Sequence, residues 1–179
     1  GRPGGEVHLR QVLAAKPGAV LCRPDHLPLL EELGADCAVA VTENVRAALG
    51  ALARAYYGGK GYPQVVAITG TNGKTTETYL LEALFRALGR KVGVVGTVSY
   101  RWPGHEEDAP LTTPGCLALH AMLAQMRAAG ADVAFMEVSS HALDQERVAG
   151  IDFSAALLTN VTQDHLDYHK TMEEYFAAK

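Results

Sequence analysis

Val65-Val66-Ala67-Ile68-Thr69-Gly70-Thr71-Asn72-Gly73-Lys74-Thr75-Thr76 decides how this chain is read. Five residues of strand character run into two glycines, a lysine and paired threonines. An apolar-periodic segment follows, with Tyr79, Leu80, Ala83, Leu84, Ala87 and Leu88, and its spacing predicts a helix that stops at Gly89. Strand, glycine-rich turn, lysine, hydroxyl and helix make up a phosphate-binding loop. Its backbone N–H groups point inward at an anion, and the helix N-terminus adds partial positive charge. Lys74 is then expected to reach β- and γ-phosphates, and the Thr75 hydroxyl to hold Mg²⁺. The spacing departs from the general G-x-x-x-x-G-K-[ST] pattern, because Ile68 stands where the first glycine belongs. The competing reading is an ordinary βα turn with a surface lysine; the strand before and the helix after weigh against it.

Around this loop the chain of 179 residues is 48% hydrophobic and 20% charged, which is the balance of a globular α/β protein. A formal charge of −4 offers no basic field for nucleic acid or a membrane surface. No apolar run approaches the ~20 residues of a membrane span, and no signal peptide is read at the start. Cys22, Cys37 and Cys116 are odd in number and widely spaced, which suits reduced thiols in the cytoplasm better than a disulfide or zinc framework.

Residues 1–62 read as a separate, partial α/β domain, starting abruptly at Gly1-Arg2-Pro3-Gly4-Gly5. The expected elements are a helix from His8 to Ala15, a strand from Ala19 to Cys22 and a helix from Leu27 to Leu33. A strand from Cys37 to Val41 follows, then a helix from Val45 to Ala55, capped by Thr42 and with Val45, Leu49 and Leu52 on one face. The linker Tyr57-Gly58-Gly59-Lys60-Gly61-Tyr62-Pro63 leads to a second domain at 63–179. There Lys91–Val98 reads as a buried strand, Tyr100–Pro110 as an irregular excursion and Leu117–Ala129 as a helix. Asp132–Val138 reads as a strand, Leu143–Val148 as a short helix and Phe153–Thr159 as a strand. Thr171 and Glu174 form a capping box. Strands alternating with helices argue for a parallel, doubly wound sheet, whose ligands gather outside the carboxyl ends of the strands.

Polar residues recur at those ends. Glu137 closes the apolar run Val133–Met136; it is either a Mg²⁺ ligand or a carboxylate paired with a nearby cation. Asp164, His165, Asp167 and His169 form a cluster that is a zinc site, a general-base site or a solvated turn. Ser139-Ser140-His141 lacks the G-x-S-x-G elbow of a serine hydrolase. Gln145 and Arg147 are either surface residues or ligand contacts.

Four segments carry a family resemblance: T-G-T-N-G-K-T-T (69–76), T-T-P (112–114), M-E-V-S-S-H-A-L-x-Q-x-R-V (136–148) and T-N-V-T-Q-D-H-L-D-Y-H-x-T-M-E-x-Y-F-x-A-K (159–179). In them the chain resembles the Mur ligase family, ATP-dependent enzymes that lengthen the peptide of the peptidoglycan precursor. It looks most like the members that add the third residue, a diamino acid (meso-diaminopimelate or L-lysine), to UDP-N-acetylmuramoyl-L-alanyl-D-glutamate. The resemblance implies ATP at Gly70, Thr71, Asn72, Gly73, Lys74, Thr75 and Thr76. It implies Mg²⁺ at Thr75 and Glu137, and a second Mg²⁺ at His165 with a carbamylated Lys179. It places the UDP-N-acetylmuramoyl-dipeptide against Thr112, Thr113, Ser139, Gln145 and Arg147. Lys74, His165 and Lys179 are the implied catalytic groups of a monomeric, cytoplasmic enzyme.

The implied chemistry forms an acyl phosphate on the D-glutamyl carboxylate, which the amine of the diamino acid then attacks. Two departures stand out: the family's carboxy-terminal domain is absent, and its D-S-R uridine-binding motif is not found in residues 1–62. The chain therefore reads as a fragment, inactive alone, with Lys179 unmodified and frayed. The rival readings are a folylpolyglutamate or cyanophycin-type ligase and a nucleotide-binding module without catalysis. The T-T-P and E-V-S-S-H segments count against the first.

Overall fold

A computed structural model describes residues 5–179, so the reading of residues 1–4 lies outside the described part. The chain divides into two compact units, Gly1–Ala48 and Leu49–Lys179. The first holds α1 (Gly5–Ala14), β1 (Ala19–Cys22), α2 (Leu27–Glu32) and β2 (Ala38–Val41), with a 3₁₀ turn over Pro24–His26. Its two strands pair in parallel, Ala19 opposite Ala38. Val20, Cys22 and Leu30 form a small core with Leu9, Leu13 and Leu27.

Helix α3 (Val45–Tyr57) crosses the division. Its cap is Asn44, whose side-chain oxygen accepts from the Ala47 N–H at 3.0 Å, and not the expected Thr42. Its buried face carries Gly50 and Ala53 rather than Leu52, which is exposed. Both residues belong to the second unit, which also contains residue 62, the expected domain boundary.

That unit is a sheet with helices on both faces. Its elements are β3 (Gln64–Thr69), α4 (Lys74–Ala87), β4 (Val92–Val95), β5 (Ser99–Trp102), β6 (His105–Asp108), α5 (Cys116–Ala128), β7 (Val133–Glu137), α6 (Ser140–Asp144), β8 (Phe153–Leu158), α7 (Leu166–His169) and α8 (Met172–Ala177). The strand order is β6-β5-β4-β7-β3-β8. The last four are parallel, as the alternating pattern required. β5 and β6 add an antiparallel hairpin where an irregular excursion was expected. Tyr100 and Trp102 of β5 are buried, and the Trp102 ring stacks on His105 across the hairpin at 3.9 Å. The acidic run Glu106–Asp108 masks this strand in the sequence, because it alternates with nothing apolar.

β7 shows why a run without polar residues reads as a doubly covered strand. Val133 and Phe135 face one side with Ile68, Val92 and Val94, against Leu81 and Phe85 of α4. Ala134 and Met136 face the other, against Leu119, Leu123 and Met126 of α5. The helix expected there forms over Lys74–Ala87, but Leu80, Leu84 and Leu88 of its periodic set are 60, 54 and 67% exposed. Two apolar stripes run along this helix, and its fixed start at Lys74 sets which one meets the sheet.

Smaller shifts concern the site. α6 begins at Ser140, ahead of the expected Leu143, because the Ser139 hydroxyl accepts from the Ala142 N–H at 3.2 Å. The Asp164–His169 cluster is not a solvated turn but a one-turn helix, entered through His165 at φ 53° and ending in a buried His169. The forward half of the expected capping box forms, with Glu174 N–H donating to Thr171 Oγ1 at 3.1 Å.

Candidate functional site

Parallel pairing brings the ends of β3, β7 and β8 to one edge, with Ile68 opposite Glu137 and Thr69 opposite Leu158. The glycine-rich loop leaves β3 there. Gly70 has φ 138°, and a Cβ on it would stand 2.0 Å from Thr159 Oγ1, so only glycine passes. The loop is laced to the end of β8. Thr71 and Asn72 donate their N–H groups to Asn160 O and Oδ1, at 2.8 and 3.1 Å. Thr159 Oγ1 and Asn160 Nδ2 donate to Asn72 O, at 2.7 and 3.0 Å. Gly73 then opens α4, whose first-turn N–H groups have no helical carbonyl to bond.

Two ammonium groups converge on this loop. Lys74 Nζ donates to the Gly70 and Thr71 carbonyls, each at 2.9 Å. Lys179 Nζ reaches the same Gly70 carbonyl at 2.9 Å and Thr69 Oγ1 at 3.3 Å. The terminal lysine expected to fray is thus docked on the loop, above the Tyr175 ring. Burial, and then repulsion by Lys74, lower its amine to a pKa of about 8. Burial lowers Lys74 as well, against the pull of Glu137 and Asp164. Two half-buried ammonium groups beside one carbonyl suit an anion.

Across from them lies Glu137, 1% exposed. Thr75 Oγ1 donates to its Oε2 at 2.9 Å, so a hydroxyl and a carboxylate oxygen stand together beside the loop. Hard oxygen donors of this kind suit Mg²⁺, which takes one or two carboxylates and completes its shell with water and phosphate. Among the described residues no group of three or more His, Cys, Asp or Glu converges as a metal cluster. The His165 and Lys179 pair does not fit a cation while the lysine is an ammonium.

The remaining candidates fall into two kinds. Thr112, Ser139 and Arg147 line the cavity. Thr113 lines it too, but its hydroxyl is given to the Glu137 carbonyl at 2.9 Å and takes the Ser139 N–H at 3.1 Å. Gln145 serves Arg147: its Oε1 accepts from Nε and Nη2 at 3.1 and 2.8 Å, while Nη1 binds the Thr113 carbonyl at 2.9 Å. His165 meets His141 edge-on at 5.0 Å. Burial and the imidazoles of His165 and His169 hold His141 below the usual histidine range.

One cavity of about 530 Å³ joins Thr71 to Thr76 with Thr97, Thr112, Thr113, Glu137, Ser139, His141, Arg147 and His165. Sequence reasoning missed Thr97 and Thr159, and gave Asn160 no role although it stands at a strand end beside the crevice. Each follows the carboxyl end of a strand, the signal that placed Glu137.

A glycine-rich loop between a buried parallel strand and a helix, facing a buried carboxylate across one cavity, defines a phosphate-loop α/β domain. The chain belongs to the Mur ligase family: the family's middle-domain pattern matches residues 68–179. It is similar to the UDP-N-acetylmuramoyl-L-alanyl-D-glutamate--2,6-diaminopimelate ligase of Lawsonia intracellularis, 61% identical over 141 residues that cover 78% of this chain and 29% of the relative. The protein of that name from Prochlorococcus marinus is 46% identical over 184 residues, covering 100% of this chain and 36% of the relative. A solved structure of a ligase of the same name superposes with a TM-score of 0.72 at 29% identity, over 89% of this chain and 37% of that one. The chain thus spans about a third of the length of the relatives it matches.

Proposed function

We propose that this chain is the nucleotide-binding part of an ATP-dependent ligase that joins 2,6-diaminopimelate to UDP-N-acetylmuramoyl-L-alanyl-D-glutamate in peptidoglycan biosynthesis. The observation that carries the reading is the single cavity in which Lys74 and Thr75 face Glu137 and Arg147. The names of the relatives support diaminopimelate over L-lysine as the added amino acid.

In this reading the γ-phosphate of ATP lies on the first-turn N–H groups of α4 and on Lys74, which turns from the Gly70 and Thr71 carbonyls to the phosphate. Thr75 and Glu137 would hold Mg²⁺, which when bound would neutralise phosphate charge. The D-glutamyl carboxylate attacks the γ-phosphorus, ADP leaves, and the amine of the diamino acid displaces phosphate from the acyl carbon. Catalysis is positioning and charge neutralisation. Arg147, its fork held by Gln145 and Thr113, orients a carboxylate or phosphate of the muramoyl substrate.

Lys179 reacts as the neutral amine with CO₂, giving a carbamate and a proton. The new anion, with His165, then suits a second Mg²⁺ that the ammonium repels. A cytoplasmic setting suits both the nucleotide and the free thiols. The test is phosphate release from ATP with UDP-N-acetylmuramoyl-L-alanyl-D-glutamate, with and without diaminopimelate, in the full-length protein. Release that depends on both substrates is expected; release that ignores them, or none, overturns the reading.

A further inference from the structure

Three donors converge on the buried Glu137 carboxylate. Thr75 Oγ1 and Thr97 Oγ1 both donate to Oε2 at 2.9 Å, and the Thr97 N–H donates to Oε1 at 3.1 Å. Thr97 therefore grips both carboxylate oxygens at once. Its neighbour makes room: a Cβ on Gly96 would stand 2.5 Å from Oε1, so the turn after β4 approaches the carboxylate through glycine backbone. Thr97 Oγ1 also lies 3.1 Å from Thr112 Oγ1 on the cavity wall.

A hydroxyl carries one proton and accepts through its lone pairs. The Thr97 proton lies on Glu137, so the contact with Thr112 has one consistent direction, in which Thr112 donates and Thr97 accepts. Thr112 then has no proton to offer a ligand. It presents only lone pairs to the cavity.

We propose that Thr97 is a positioning residue for both halves of this site: it locks the Glu137 carboxylate against Thr75 and, by taking the Thr112 proton, makes Thr112 a hydrogen-bond acceptor for an N–H or O–H group of the muramoyl substrate. The identity of the two ligands rests on the ligase reading above. The chain from the Thr112 hydroxyl through the Thr97 hydroxyl to the Glu137 carboxylate links the peptide side of the cavity to the cation side through one side chain.

Thr97→Val keeps the shape and the N–H but removes the hydroxyl, and Thr97→Ser keeps the hydroxyl. On the full-length protein, Mn²⁺ binding with a non-hydrolysable ATP analogue is followed by electron paramagnetic resonance. Binding of UDP-N-acetylmuramoyl-L-alanyl-D-glutamate is followed by calorimetry, with thermal melts alongside. Thr97→Val is expected to weaken Mn²⁺ about tenfold or more, as the loss of a residue that orients a metal ligand does. It should weaken the dipeptide about threefold or more, the worth of one neutral hydrogen bond. Thr97→Ser should restore both to near wild type. Where the melt shows that Thr97→Val does not fold, Thr97→Ala takes its place.

Wild-type affinity for Mn²⁺ in the folded hydroxyl-free variant overturns the proposal. Weakened Mn²⁺ with unchanged dipeptide overturns the Thr112 half. A wild-type protein that binds no Mn²⁺ with the analogue overturns the ligase reading, and this inference with it.

Discussion

Lys74 and Lys179 approach one carbonyl, that of Gly70, from 4 and 109 positions along the chain. Neither has an acidic partner within salt-bridge distance among the described residues, so an arriving phosphate meets two poorly solvated cations. Lys74→Ala is expected to weaken ATP binding by about 1.5–3 kcal/mol, the worth of a charge-assisted hydrogen bond. Calorimetry measures this directly, and an unchanged affinity would take Lys74 out of the nucleotide site. Lys179 gives a pH signature. Folding lowers its amine from 10.5 to about 8, first through burial and then through Lys74. Between those values the unfolded chain holds a proton that the folded chain has released, so the folded state gains stability as pH rises through that window. Below about 8 both states are protonated and the penalty of burying the charge stands in full. At pH 7 the folded-state amine is therefore neutral in a larger fraction of molecules than an ordinary lysine is. A ¹³C-labelled lysine resonance should titrate near pH 8, and Lys74→Ala should move it upward. A midpoint at the ordinary lysine value in the wild type would show that the amine is not docked on the loop.

At the scale of elements, the β5–β6 hairpin is tied to the phosphate-loop helix by a buried ion pair. Arg101 Nε donates to both Glu82 oxygens at 3.2 and 3.0 Å, its Nη2 also meets Oε2, and its Nη1 donates to Ser99 Oγ at 2.8 Å. Arg86 adds a second cation to Glu82 at 2.7 Å. Removing Glu82 strands the buried Arg101 charge, whereas removing Arg101 leaves Glu82 with Arg86. Glu82→Met should therefore cost roughly 3–5 kcal/mol of unfolding free energy, while the double change with Arg101→Met should recover most of it. Urea unfolding of the two variants tests this; equal losses would mean that packing, not charge, holds the hairpin. The same helix shows where periodicity stops informing. Leu80, Leu84 and Leu88 match a helical repeat as well as Leu81 and Phe85 do, and hydrophobicity alone does not choose between stripes one residue apart. The choice falls to the loop, which starts the helix at Lys74 with Thr75 bonded to Glu137, and to the edge-to-face contact of Phe85 with Phe135 at 5.1 Å.

At the scale of the molecule, each unit holds its own core. Val20, Cys22 and Leu30 serve the first, and the two faces of the six-stranded sheet serve the second. The phosphate loop, Glu137 and the cavity around them lie wholly within Leu49–Lys179. Residues 49–179 expressed alone should therefore unfold in one cooperative transition and bind the nucleotide analogue with the affinity of the longer chain. Calorimetric melting and titration check both, and a broad transition without binding would show that the first unit is required. No helix of the described residues is long and apolar enough to cross a membrane.

The sequence by itself determined the phosphate loop, since glycine, lysine and hydroxyl positions between a strand and a helix are set by neighbours along the chain. It also determined the parallel strands β3 and β7, because runs such as Val133–Met136 bury on both faces and name no other place to go; β8 was legible only as an apolar run, since most of its residues are exposed. The placing of Glu137 followed from the rule that ligands gather at the carboxyl ends of such strands. Only the tertiary structure decided which stripe of α4 is buried, that Tyr100 to Asp108 folds back as a hairpin, and that Thr113 and Gln145 serve other site residues. It alone set Thr97 on the Glu137 carboxylate, Asn160 on the loop and Lys179 on the Gly70 carbonyl. Those contacts join residues 40, 88 and 109 positions apart. The order β4-β7-β3-β8 and the register of its strands create them, and a short stretch of chain carries no record of which strand will lie beside it.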